Sequence, residues 1–301
     1  MNKIAKAHLA LFGANLIYGI NYTVAKELMP DLLSPFGFIF CRVVGALLLF
    51  WLLSSFIKWE RVANKDLLRM AVCGIFGVAG NQLMFFYGLN LTSPINAAII
   101  MTCNPILVLL ISALLIRERV TFRKIGGILL GLTGATGLIL YNNPLNMSPS
   151  DEIGDLFIFL NASSYAIYLV LVKPLMQKYS PITVIKWVFL FGFFIVIPFG
   201  IEDFLAIEWS RFTGSSWLSF LFVVVCTTFL AYLFNIFGLK ELNPSTVSTY
   251  IYSQPLIASF VALSLGKDEL TWVKIIATIF IFTGVYLVSI KGRNHNQKTP
   301  A

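Results

Sequence analysis

Ten long apolar runs, each bounded by charged or turn-forming residues, constrain this chain more than any other feature. They cover residues 5–26, 34–57, 67–89, 93–116, 122–141, 153–176, 181–200, 215–238, 243–265 and 270–290. A helix needs about 20 apolar residues to cross the hydrocarbon core of a bilayer. The sequence therefore predicts an all-α polytopic membrane protein with ten transmembrane helices, short connections and no separate soluble domain.

Composition excludes several other classes of protein. Hydrophobic residues make up 58% of the 301 residues and charged residues only 12%, about half the charged share of a soluble domain. The net charge of +8 does not indicate nucleic-acid binding, because the basic residues lie in short runs between apolar segments. All four cysteines lie inside apolar runs and behave as small apolar side chains. We expect no nucleic acid, metal or cofactor.

The distribution of basic residues predicts the orientation. If the N-terminus is cytoplasmic, most of the 22 Lys and Arg residues fall on the cytoplasmic side, as the positive-inside rule requires. An even number of spans then brings the C-terminus to the same side. We expect an integral protein of the plasma (inner) membrane with both termini cytoplasmic and a cytoplasmic tail over 292–301.

The two halves of the chain repeat. At an offset of 150 residues, eight positions of the first half recur in the second. Gly88, Pro94, Pro105, Thr121, Lys124, Ile125, Thr133 and Gly134 recur as Gly238, Pro244, Pro255, Thr271, Lys274, Ile275, Thr283 and Gly284. Earlier in each half the register drifts slightly, and the pair Ser34-Pro35 matches Ser180-Pro181. Five spans per half is an odd number, so the second half enters the membrane inverted. The sequence predicts two inverted five-helix repeats, 1–148 and 149–291, a device of secondary transporters.

These features together carry a family resemblance. The ten-span arrangement, the segments Asn96 to Gly137 and Thr246 to Val288, and the stretch Leu16 to Lys26 resemble the EamA-type permeases of the drug/metabolite transporter superfamily. The resemblance implies an alternating-access secondary transporter, exporting amino acids or similar small polar or aromatic metabolites across the inner membrane. Where family members often have a Trp in the first span, this chain has Tyr18.

Two amide-proline pairs mark the middle of the fourth and ninth spans, Asn104-Pro105 and Gln254-Pro255. Proline lacks an amide hydrogen, so each ring leaves the carbonyl four residues back without its helical partner. One interpretation is that the break is merely a kink that helps the helices to pack, since membrane helices tolerate such kinks. Alternatively, two related breaks at the midplane can form a substrate site, because transporters bind at the repeat interface.

Polar stripes favour the second interpretation. Residues at helical spacing put several polar side chains on one face of the first span and of the sixth. For any single residue, hydrogen bonding between helices is the alternative. The complete set of candidate substrate-binding residues is Asn15, Tyr18, Asn21, Tyr22, Asn81, Gln82, Asn104, Asn161, Tyr165, Tyr168, Tyr232, Asn235, Tyr252 and Gln254.

Three further features have open interpretations. Arg42 stands about eight positions into the second span and either snorkels outward toward Glu27 or Asp31 or anchors an anionic group of the substrate. Lys186, near the inner end of the seventh span, is expected to snorkel. Glycines repeat at small-residue spacing in the fifth span (126–137) and serve either packing within the chain or dimerisation. The oligomeric state is therefore monomer or homodimer.

A channel and a polytopic membrane enzyme are the rival functions. Membrane enzymes need clustered acids, metal ligands or paired histidines, whereas the two histidines, His8 and His295, lie near the termini. A channel needs a filter-like loop or charged ring, and none is evident. The acids fall in connections or near span ends. Proton-driven carriers usually keep an ionisable side chain within the membrane, so we expect a carrier that follows its substrate gradient.

Overall fold

The computed structural model describes residues 2–29, 31–92, 97, 100–142, 152–264 and 270–290. Within these ranges every regular element is a helix. The α-helices are α1 (Lys3–Leu28), α2 (Pro35–Ser55), α3 (Asn64–Gly74), α4 (Gly80–Leu91), α5 (Asn104–Leu115), α6 (Phe122–Asn142), α7 (Glu152–Val172), α8 (Leu175–Lys178), α9 (Pro181–Leu205), α10 (Gly214–Leu221), α11 (Ala231–Glu241), α12 (Pro244–Thr249), α13 (Ser253–Ser264) and α14 (Trp272–Ser289). The predicted all-helical class is confirmed for this part of the chain.

Seven helical stretches in the described ranges are long and apolar enough to cross a membrane. They are Pro35–Ser55, Asn64–Leu89, Phe122–Tyr141, Glu152–Lys178, Pro181–Leu205, Gly214–Glu241 and Trp272–Ser289. Helices also occupy the other three predicted runs, as α1, α5 and α12 with α13. Large apolar side chains on the outside of the bundle are exposed, for example Phe122 (94%) and Leu114 (80%). An apolar exterior of this kind suits lipid rather than water.

Serine-proline pairs begin α2 and α9 in the same way. Proline restricts the residue before it to extended backbone, and both Ser34 and Ser180 are extended N-caps. Ser34 Oγ accepts a hydrogen bond from the Gly37 amide at 3.1 Å, and Ser180 Oγ accepts one from the Thr183 amide at 3.2 Å. The repeat seen in the sequence therefore extends to helix capping.

Each of these caps also contacts an acidic residue of the other half. Ser34 Oγ donates to Asp203 at 2.6 Å, and the Ser180 amide donates to Glu60 at 2.9 Å. Burial raises the pKa of the Glu60 carboxyl, but hydrogen bonds from Thr183 and Ser180 outweigh that effect and hold the pKa below its ordinary value. The stabilisation from this carboxylate is therefore present at neutral pH and is lost as the pH falls through the lowered pKa.

Two π-helical turns interrupt the bundle at related positions. Ile75–Ala79 joins α3 to α4, and Phe222–Leu230 joins α10 to α11. The first range, shifted by the 150-residue offset, falls within the second. A π-helix pairs each carbonyl with the amide five residues on and leaves carbonyls that side chains can bind. The hydrophobic pattern did not predict these turns.

Helix pairings also recur between the halves. The α4–α7 contact has its counterpart in α11–α1, and the α5–α7 contact in α13–α1. The pairs α2–α9 and α6–α14 join equivalent helices of the two halves and are the most extensive contacts among the described elements. The apolar core lies around α2 and α9, where Phe50 and Phe189 are fully buried with ring centroids 5.0 Å apart.

Glycines bring α6 and α14 into backbone contact. A Cβ atom added at Gly127 would lie 2.7 Å from the carbonyl oxygen of Gly284, and one added at Gly134 would lie 2.9 Å from that of Ala277. By contrast, Gly126 and Gly137 face open space. Part of the glycine stripe thus serves packing within the chain, one of its two expected roles.

Gly127→Ala should destabilise the protein, because the new methyl group must push α6 away from α14. Overpacking of this kind costs roughly 1–3 kcal/mol, and we expect an apparent melting temperature several degrees lower by thermal unfolding in detergent. Gly126→Ala is the matched control, since its methyl group points into open space. Equal melting temperatures for the two variants would contradict this packing.

Candidate substrate-binding site

Aromatic and polar side chains from both halves meet at the centre of the bundle. Tyr18 of α1 interacts electrostatically with Arg42 of α2, Tyr165 of α7 and Tyr232 of α11. The Asn235 side-chain amide donates to the Tyr18 hydroxyl at 3.2 Å. We call Tyr18, Arg42, Gln82, Tyr165, Tyr168, Tyr232 and Asn235 the central cluster. Seven predicted site residues are thereby brought together.

Arg42 is buried in this cluster rather than directed to the membrane surface. Its side chain is 7% exposed, and Nε donates to Thr228 Oγ1 at 3.0 Å. The guanidinium carbon lies 5.4 Å from the ring centroid of Phe38 and 5.5 Å from that of Phe86. The inward position departs from the snorkelling interpretation. Asp31 is exposed, and the Glu27 side chain lies outside the described residues.

Carbonyls of the π-helical turns are hydrogen-bonded by side chains of the site. Ser164 Oγ donates to the Phe76 carbonyl at 2.8 Å, and the Tyr232 hydroxyl donates to the Gly77 carbonyl at 3.3 Å. In the second turn, Thr228 Oγ1 donates to the Val223 carbonyl at 2.9 Å. These bonds satisfy backbone groups that lipid could not. The site and the irregular backbone therefore depend on each other.

Several buried polar atoms in the same region have no hydrogen-bond partner among the described residues. Gln82 is only 3% exposed and interacts with the Tyr232 hydroxyl, but neither of its amide atoms forms a hydrogen bond of ordinary length. The Oδ1 atoms of Asn104 and Asn161 and the Tyr168 hydroxyl are also unpartnered. Burying such a group without a partner costs about 1–3 kcal/mol. Atoms of this kind are available to a bound ligand.

Other predicted residues bond between helices. Gln254 Nε2 donates to Asn15 Oδ1 at 2.9 Å, which joins α13 to α1. Asn21 Oδ1 accepts from Thr227 Oγ1 at 3.0 Å. These contacts have the geometry of interhelical packing, the alternative left open for single residues of the stripes.

The side-chain amides of Asn104 and Asn161 join α7 to neighbouring helices. Asn104 Nδ2 donates to the Ala162 carbonyl at 2.8 Å, and Asn161 Nδ2 donates to the Asn81 carbonyl at 2.5 Å. Asn104 thus contacts the first helix of the second half, just as Gln254 contacts the first helix of the first half. The two amides next to the prolines therefore make related contacts, each to the first helix of the other half.

Both prolines lie at helix irregularities. Helix α5 begins at Asn104, and Thr102 and Cys103 before it form a turn, so Pro105 stands in the first turn of a new helix. Pro255 follows a 3₁₀ turn, Tyr250–Tyr252, that separates α12 from α13. The fourth and ninth apolar runs are therefore discontinuous where the amide-proline pairs predicted a break.

Three residues singled out from the sequence are not part of the central cluster. Tyr252 is fully buried in a small apolar cluster with Ala135 and Ile281, between α6 and α14. The Tyr22 side chain is outside the described residues. Lys186 extends toward the end of α2, where Nζ lies 5.0 Å from the Trp51 ring and 4.4 Å from the Trp59 ring. Its head group is thus held between indoles, and the residue is only 4% exposed.

Three residues that hold the Arg42 guanidinium were not predicted from the sequence: Thr228, Phe38 and Phe86. The pair Thr227-Thr228 interrupts an apolar run and could have marked the eighth span as polar on one face. Phenylalanines are too common in this chain, with 27 in all, for two of them to stand out. No metal-binding group of His, Cys, Asp and Glu occurs in the described part of the chain.

Ser164→Ala should destabilise the protein, because it leaves the π-helical carbonyl of Phe76 without its side-chain donor. Hydrogen bonds between membrane helices contribute roughly 0.6 kcal/mol on average, and we expect a loss of about that size by reversible unfolding in mixed micelles. Ser163→Ala is the control, since Ser163 bonds only within its own helix. A larger loss in the Ser163 variant would contradict this role.

Comparison with known proteins supports a transporter. The family model for the EamA-like transporter family matches twice, over residues 5–140 and 152–290. The chain is 23% identical to the uncharacterized transporter YyaM of Bacillus subtilis (strain 168), over 94% of this chain and 93% of that protein. It is 26% identical to a WAT1-related protein of Arabidopsis thaliana, over 97% and 88% of the two chains.

A solved crystal structure has the same fold. It aligns with a TM-score of 0.75 and 19% identity, over 94% of this chain and 96% of the other. At that identity the likeness concerns the fold alone. The family matches cover both halves of the chain, and the helices are those of an integral membrane protein. The chain is therefore a member of the EamA-like transporter family, a permease of the drug/metabolite transporter type.

Proposed function

We propose that the protein is an alternating-access secondary transporter that exports amino acids or similar small polar or aromatic metabolites across the inner membrane. Ten transmembrane helices form two inverted five-helix repeats, 1–148 and 149–291, which rock about a central site. Both termini and the tail 292–301 are cytoplasmic. The protein works as a monomer or as a homodimer in which each subunit has its own complete site. Its partners are the substrate and the lipid bilayer, and it uses no cofactor.

The central cluster carries this proposal, because it is built from both halves. Tyr18, Arg42 and Gln82 come from the first half, and Tyr165, Tyr168, Tyr232 and Asn235 come from the second. Transporters with inverted repeats bind substrate where the repeats meet, near the midplane. The paired helix contacts and the two π-helical turns support the same two-fold relation.

The cytoplasmic side has a candidate gate, which we call the inner latch, made of Glu118, Lys124 and Ser245. Glu118 accepts a hydrogen bond from Lys124 Nζ at 2.6 Å and another, short one from Ser245 Oγ. Ser245 lies in the first turn of α12 in the second half, so this bond ties one half to the other. The side chain of Glu118 is 5% exposed, so water competes little for the bond. A closed latch corresponds to a state shut toward the cytoplasm.

Energy coupling follows from the placement of the acids. The described acidic residues lie at helix ends or in connections, and Glu118 belongs to the inner latch rather than to the midplane. The central cluster contains no carboxylate, so a proton has no ordinary binding group there. Substrate moves down its own gradient in this proposal.

The orientation can be tested with single cysteines at two exposed positions in a background without native cysteines. Lys65→Cys lies at the exposed start of α3 and should react with an impermeant maleimide only from the cytoplasmic side. Ser210→Cys lies between α9 and α10 and should react only from the opposite side. Labelling of both from one side would overturn the orientation.

Opening of the inner latch can be measured with Ser248→Cys, because Ser248 of α12 is only 1% exposed in this closed state. Glu118→Gln removes the charge that strengthens the bonds to Lys124 and Ser245. Hydrogen bonds to charged groups contribute about 1.5–3 kcal/mol, so we expect labelling of position 248 from the cytoplasmic side to be roughly 10-fold faster.

Glu208→Gln is the control for this measurement. Glu208 forms an exposed pair with Arg211 at 3.9 Å on the opposite side, and its loss should leave the labelling rate unchanged. If Glu118→Gln also leaves the rate unchanged, the inner latch is not a gate and the alternating-access proposal loses its moving part.

A further inference from the structure

We propose that the central cluster selects a small organic carboxylate that carries no ammonium group, and that the Arg42 guanidinium binds the carboxylate. This inference rests on the proposed transport function and, among the small metabolites proposed there, favours organic monoanions with an apolar or aromatic body over amino acids. It follows from the charge, the free donors and the walls of the site.

The charge of Arg42 has no counter-ion in the described protein. Its contacts are the Thr228 hydroxyl and the rings of Phe38 and Phe86, and no carboxylate of the described residues forms an ion pair with it. A buried cation without an anion costs several kcal/mol. Such a charge within a membrane protein usually pairs with another group or serves function. An anionic ligand would remove this cost.

The guanidinium is also oriented for a carboxylate. Nε is the nitrogen that bonds Thr228, and the donors of the two terminal nitrogens have no acceptor among the described residues. Thr228 is itself fixed by its bond to the Val223 carbonyl, and the Phe38 and Phe86 rings restrict the guanidinium further. A planar group with two free terminal nitrogens matches the two oxygens of a carboxylate.

A zwitterion fits this site less well. An ammonium group has three N–H donors that need acceptors, and the described carboxylates lie at the helix ends. The buried acceptors of the central cluster that form no hydrogen bond of ordinary length in the described protein are two, the Gln82 amide oxygen and the Tyr168 hydroxyl. The ammonium of an amino acid is close to its carboxylate, so it would be held beside the Arg42 charge. Like charges at such a distance repel strongly in a medium of low dielectric constant. The site therefore discriminates against amino acids by charge.

The other walls suit the body of the ligand. The Tyr165 and Tyr168 rings pack against each other with centroids 6.0 Å apart, and the Phe189 ring packs against Tyr232 with centroids 5.0 Å apart. These faces can stack on an apolar or aromatic group. Gln82 adds a primary amide beside the Tyr232 hydroxyl, which can bond one neutral polar substituent.

Three ligands with one carbon skeleton test the inference: 3-phenylpropionate, its neutral amide 3-phenylpropionamide, and the zwitterion phenylalanine. Binding is measured from the thermal stabilisation of the purified protein. Phosphatidylcholine nanodiscs are used, so that no anionic lipid headgroup competes for Arg42. We expect 3-phenylpropionate to bind at least ~10-fold more tightly than either of the others, the order of a hydrogen bond to a charged group.

Variants assign the preference to Arg42. Arg42→Gln should weaken 3-phenylpropionate binding ~10- to 100-fold and change 3-phenylpropionamide binding less than ~2-fold. Arg42→Lys keeps the charge but not the paired donors, so it should retain part of the preference. Arg42→Lys is also the folding control: if it binds 3-phenylpropionate and Arg42→Gln does not, the loss of binding in Arg42→Gln reflects the lost charge rather than misfolding. Lys186→Gln removes a buried cation outside the cluster and should leave all three affinities unchanged.

Any of three results would overturn the inference. The first is that phenylalanine binds as tightly as 3-phenylpropionate, and the second is that 3-phenylpropionate does not bind at any soluble concentration. The third is an unchanged preference for the acid in Arg42→Gln. The labelling of Ser248→Cys needs no ligand, so it reports on alternating access independently. A failed anion preference with a working inner latch would reject the substrate class and leave the transporter proposal in place.

Discussion

The hydrogen bonding of the backbone within lipid is the constraint on which the rest of this structure depends. Each carbonyl that leaves the regular helix must find another donor, because the bilayer core offers no water. The chain meets this demand at its two π-helical turns with Ser164, Tyr232 and Thr228. Those side chains belong to the central cluster or contact it. Irregular backbone, polar side chains and candidate site therefore form one interdependent unit.

The sequence predicted the helical class and the places of the helices, because membrane insertion depends on the length and polarity of each segment alone. The amide-proline pairs likewise predicted the breaks at Pro105 and Pro255, since the missing amide hydrogen is a local property. The π-helical turns escaped prediction because an extra residue per turn leaves the apolar pattern almost unchanged. Only the tertiary partners of the freed carbonyls make such turns favourable.

The candidate site was predictable as a set of residue types but not as a set of contacts. Helical spacing predicts that Asn15 and Tyr18 share a face, yet Asn15 bonds Gln254 whereas Tyr18 joins the central cluster. The direction of Arg42 was open for the same reason. A side chain of that length can reach the membrane surface or the interior, and Thr228, Phe38 and Phe86 decide between them. These partners are far away in the sequence.

The contact between α6 and α14 has a consequence for how the protein is made. Gly127 and Gly284 bring the two backbones together, but more than half of the chain separates them. Helix α6 therefore enters the membrane long before its partner is synthesised, and its glycine face meets lipid during that interval. Native packing at this face forms only after the last helix has been inserted. Truncation ahead of α14 would leave a complete first half with its tightest contact permanently unmade.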